Sequence, residues 1–124
     1  MSSESYPTKK NLDKLWSECI KARAGYKSEW SGKRDRLNRH HIFKKTSYRL
    51  RWELQNGVCI TSGEHKFIAH GNQEAEFLFW AMRLRGLSET HLMLWKHKST
   101  KTVDLWAVRE HLKQKLGEFR DGYT

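Results

Sequence analysis

The apolar positions along this chain change their spacing several times, and each change marks an element. In residues 11–24 they fall at Leu12, Leu15, Trp16, Cys19 and Ile20. That i, i+3, i+4, i+7, i+8 pattern puts one stripe on an α-helix. Asn11 is placed to cap its start and Gly25 to end it. A polar, basic connector follows over residues 26–36. Two short runs then look like strands, residues 37–43 and the segment GVCIT at 57–61. Gly63 allows a turn, and residues 64 to about 70 suit a short helix.

A second helix is expected from about residue 73 to 85, with Phe77, Trp80, Ala81 and Leu84 on one face and Gly86 to close it. Ser88 can cap a shorter segment, ETHLMLWKHK. The last helix should run from about residue 102 to 119, with Leu105, Val108, Leu112, Leu116 and Phe119 as its stripe. The order is helix, hairpin-like centre, then helices, which predicts an α+β fold that is mostly helical around a small two-stranded antiparallel hairpin.

Composition narrows the class. A chain of 124 residues suits one domain, expected over 11–119 between flexible tails at 1–10 and 120–124. Six Trp, five Phe and four Tyr supply enough bulk for a core despite 31% charged residues. No apolar run approaches the ~20 residues that span a bilayer, and MSSESYPTKK has no apolar stretch of a secretory signal. The net charge of +10, from 24 Lys and Arg against 14 Asp and Glu, favours a polyanionic partner, nucleic acid first. An anionic membrane surface is the rival, but no segment sets a basic face opposite an aromatic one. Cys19 and Cys59 sit in apolar patterns and read as buried free thiols of a reduced, cytoplasmic protein.

The candidate chemistry lies in residues 38–71, which hold four of the seven histidines, His40, His41, His65 and His70. Adjacent residues on a strand face opposite ways, so His40 and His41 suit different tasks. One can ligate a metal ion while the other takes a proton from water. Asn56-Gly57 suits a tight turn into the second strand, and the Asn side chain can hold neighbouring backbone or an imidazole.

The set HHI on a strand, NG before VCIT, and EHKFIAHG opening a helix resembles the ββα-metal core of the HNH endonucleases. Within them it is most similar to small phage recombination endonucleases, the NinG-like group, over about residues 12–119. The core would span about 37–71 and the C-terminal helices about 73–119. The resemblance implies a DNA-hydrolysing endonuclease with one divalent ion, Mg2+ or Mn2+ first and Ni2+ or Zn2+ also admissible. It implies His40 and His65 as metal ligands, His41 as general base and Asn56 as the residue that orients it. Many relatives carry a further His four residues after the His65 position. Here that residue is Ala69, and five residues on an α-helix turn His70 about 140° away from His65. His70 is thus left as ligand, phosphate contact or helix-end residue.

Relatives also carry two CxxC pairs that hold a structural zinc. The corresponding positions are Ser28, Ser31, Thr61 and Glu64, so no structural zinc is expected, and packing and hydrogen bonds should take its place. Lys44, Lys45, Arg49, Arg51 and Lys66 are the candidate phosphate contacts, Arg51 first because guanidinium binds phosphate bidentately. DNA is the expected partner, with phage replication, recombination or packaging proteins as further ones. The oligomeric state is open, a homodimer included. A non-catalytic DNA-binding protein of the same shape is the alternative.

Overall fold

The structure is a computed structural model that describes residues 6–43, 48–91, 93 and 103–122, with side chains for all of these but 48 and 49. Helix α1 spans Lys9–Arg23. Its cap is Thr8, whose hydroxyl accepts from Asn11 N at 3.1 Å, so the helix starts two residues before the expected Asn11. Gly25, at φ 70°, ends it in the left-handed conformation that glycine adopts without strain. Residues 6–10, expected in a flexible tail, are built in. Pro7 is buried, and Tyr6 meets Trp106 edge-on at 5.6 Å.

Strand β1 (Leu37–His41) pairs antiparallel with β2 (Gly57–Thr61), His40 opposite Val58 and His41 opposite Gly57. A short helix α2 (Tyr48–Trp52) and a 3-10 turn (Leu54–Asn56) connect them. Strand β2 is buried on both faces, which is why it reads as continuously apolar, while β1 is half-buried. Val58 and Ile60 join a cluster with Ile42, Phe43, Leu50, Ala69, Phe77 and Ala81. Cys59 points the other way, into Leu12, Trp16, Cys19, Ile20, Trp52 and Leu112. Both cysteines are free and buried.

After β2 comes one helical turn, α3 (Ser62–Glu64), a π-helical turn (His65–Ala69), and α4 (Glu74–Arg85), closed by left-handed Gly86. Phe77 and Ala81 are buried as expected, but Leu84 is 44% exposed. The last helix, α5, spans Leu105–Asp121, capped by the Asp104 carboxylate. It lays Leu105, Val108, Leu112, Leu116 and Phe119 against α1, the predicted stripe. The segment after Ser88 and the expected start of the last helix at Thr102 lie largely outside the described residues.

Asn56-Gly57 is not a tight turn. Gly57 is extended, at φ −132° and ψ 147°. Its need for glycine is spatial, since a Cβ there would stand 2.6 Å from both Ile20 Cδ1 and Trp16 Cζ2.

Candidate metal centre

Strand alternation decides which imidazoles can meet. His40 faces the π-turn and α4, with its ring 5.2 Å from Phe77. The same face receives His65 and His70, at ring separations of 5.0 and 5.2 Å from His40. One ligand atom from each of the three lies within 4.8 Å of the others, close enough to hold one metal ion.

The expected α-helical geometry, which would carry His70 away, is overturned here. A π-turn bonds i to i+5 instead of i to i+4. The extra residue per turn brings the fifth residue back over the first. His65 Nε2 and His70 Nε2 are accordingly 3.0 Å apart. His70 is exposed, so the cluster opens to solvent on that side.

Burial and crowding of like groups favour the neutral form of His40 and His65. His40 is held down to about 3, first by burial and then by His65, His70 and His41. His65 is lowered by burial, then by His70 and Arg39. Neutral imidazole is the form that ligates a metal ion. Asn38, two residues before His40 on the same face, reaches His65 Nδ1 through its Nδ2 at 3.1 Å. Sequence reasoning missed Asn38, although its i, i+2 relation to His40 on a strand was the available signal.

His41 lies on the opposite face. Its ring stacks on Trp16 at 4.1 Å and 8°, and Nε2 is 2.9 Å from Arg51 O. A carbonyl only accepts, so this nitrogen carries the hydrogen. Asn56 is fully buried and does not reach for an imidazole. Its Oδ1 accepts from Phe43 N at 2.8 Å, and Nδ2 donates to Phe43 O at 3.0 Å and Leu50 O at 2.9 Å. It fixes the exit of β1 by clamping backbone, and orients His41 only through that backbone.

Ser28, Ser31, Thr61 and Glu64, the four positions expected to do without a structural zinc, converge as a hydrogen-bonded staple. Glu64 and Thr61 form a capping box, with Thr61 N donating to Glu64 Oε1 at 2.8 Å and Glu64 N to Thr61 Oγ1 at 3.1 Å. Ser28 Oγ donates to the same carboxylate at 2.6 Å and accepts from Trp30 N and Ser31 N. Burial pushes the Glu64 carboxyl up, but hydrogen bonds from Ser28, Ser31 and Thr61 outweigh it and leave it below the ordinary value. The staple ends one residue before His65.

Among the phosphate candidates, Arg51 is committed elsewhere. Its guanidinium makes a two-pronged pair with the Asp13 carboxylate, tying α2 to α1. Lys66 is exposed beside His65, with its ammonium 5.3 Å above the Phe67 ring. Lys44, Lys45 and the Arg49 side chain lie outside the described residues. No protein-family model, curated protein or solved structure matches this chain.

Proposed function

We propose that the chain is a divalent-metal-dependent endonuclease of the HNH type that hydrolyses DNA phosphodiester bonds, in keeping with a phage origin. The observation that carries this reading is the meeting of His40, His65 and His70 across the hairpin and the π-turn. The donor set fits an ion. Three imidazole nitrogens leave coordination positions open for water and a phosphate oxygen, and nitrogen donors favour Mn2+, Ni2+ or Zn2+ over Mg2+.

His40, His65 and His70 would hold the ion, which when bound polarises the scissile phosphate and stabilises the leaving oxygen. His41 is the candidate base. With Nε2 donating to Arg51 O, its accepting lone pair is on Nδ1, and the Trp16 stack fixes the plane of the ring. A water that meets Nδ1 can give its proton there. Lys66 and the net charge of +10 favour a DNA backbone over a neutral substrate.

One observation favours a second reading, a non-catalytic DNA-binding protein that keeps the metal site. His41 and Arg51, the residues expected to act on water and phosphate, are turned to Trp16 and Asp13 on the α1 side. Incubation of the purified chain with supercoiled plasmid and Mn2+ separates the two. The nuclease reading predicts nicking that EDTA abolishes and that His41→Ala slows by about 100-fold or more. Cleavage indifferent to both would sink it, and salt-sensitive DNA binding without cleavage would establish the second reading.

A further inference from the structure

We propose that Asn38 is a two-position switch that links occupation of the three-histidine site to release of the neighbouring Arg39 guanidinium. The inference rests on the reading of the three histidines as a metal centre.

The hydrogen-bond directions around Asn38 define its first position. Nδ2 donates to His65 Nδ1 at 3.1 Å, while Oδ1 accepts from Arg39 N at 3.0 Å and from the Arg39 guanidinium at 3.1 Å. A His65 that accepts at Nδ1 carries its hydrogen on Nε2. That hydrogen points at His70 Nε2, 3.0 Å away. Asn38, His65 and His70 therefore form one directed chain of donors and acceptors.

An ion at His65 Nε2 reverses the chain. The nitrogen that ligates must give up its hydrogen, and neutral His65 then carries one on Nδ1. Two donors, the Asn38 amide and His65 Nδ1–H, would face each other at the present 3.1 Å. Rotating the Asn38 amide by half a turn restores the bond, with Oδ1 accepting from Nδ1–H. A ligating imidazole is ordinarily held by just such an acceptor on its other nitrogen.

The same rotation turns the Asn38 NH2 toward Arg39. The Arg39 N–H and the Arg39 guanidinium both lose Oδ1 as acceptor, and the guanidinium becomes available beside the metal centre, with the planar fork that suits phosphate oxygens. Cation binding thus prepares an anion site. By linkage, an anion held by Arg39 strengthens cation binding by the same factor.

The test is a zinc titration of the full chain by calorimetry, with nitrogen NMR of the His65 ring and the Arg39 guanidinium. In the wild type, zinc should move the His65 hydrogen from Nε2 to Nδ1 and speed rotation of the Arg39 guanidinium. Asn38→Asp offers an acceptor in either position. It should tighten zinc about tenfold while Arg39 stays held. Asn38→Leu, checked for folding by circular dichroism, should weaken zinc about 10- to 100-fold. Zinc binding that is the same in all three proteins, with an unchanged His65 tautomer, overturns the switch and leaves the metal centre standing. A wild type that binds no zinc overturns the metal centre and the switch with it.

Discussion

His40 is the residue whose surroundings bear most directly on the chemistry. Its ring is wedged among His65, His70 and Phe77, where a charged imidazolium would be both poorly solvated and repelled. The folded chain keeps it neutral down to about 3, whereas an unfolded chain takes up that proton near the ordinary value of about 6.5. Between those values the unfolded state binds more protons, so stability rises with pH across the window and falls as pH drops through it. The melting temperature of the metal-free protein should be lower at about pH 5 than at about pH 8. His40→Leu should flatten that difference, and an equal pH dependence in the two proteins would show that His40 is not its source. Asn56 makes a different point at this scale. That an asparagine at the end of a loop would matter was readable from sequence. That it clamps Phe43 and Leu50 backbone was not, because the choice depends on which groups the fold buries around it.

The π-turn and the Glu64 staple show what a single element adds. From the sequence, His65 and His70 are five apart, and an α-helix separates them. The structure inserts a π-turn at His65–Ala69 and brings them together. No residue type announces such a turn, so the third imidazole was legible as a candidate and not as a partner. The staple was legible as a gap. Ser28, Ser31, Thr61 and Glu64 were recognised as aligned positions without thiols, and only the fold shows a buried carboxylate gathering the hydroxyl and amide donors around it. Glu64→Ala leaves the Ser28 hydroxyl and Thr61 N–H without their acceptor and removes the capping box. Denaturant unfolding should show a loss of about 2 to 4 kcal/mol, with weaker metal binding because the turn carrying His65 loosens. A change under about 0.5 kcal/mol would mean that the staple is not a structural substitute.

For the molecule as a whole, the hairpin divides the interior into two clusters and gives each histidine of the HH pair its own side. The periodicities of α1, α4 and α5, with the two strand-like runs between them, were enough to predict this mixed α+β arrangement, because α1 and α4 each bring an apolar stripe to the hairpin and α5 lays its own on α1. The basic excess of the chain was equally plain, but not its distribution. Arg51 looked like a phosphate contact until its partner Asp13, thirty-eight residues earlier, was placed beside it. Long-range pairing of this kind leaves no local mark in a sequence.

The central claim is that His40, His65 and His70 hold one ion together, and X-ray absorption at the zinc edge tests it most directly. Zinc-loaded wild type should show the outer-shell scattering of three imidazole rings, and His70→Ala that of two. Identical coordination in the two proteins would contradict the account, because it would mean that the π-turn does not bring His70 to the ion.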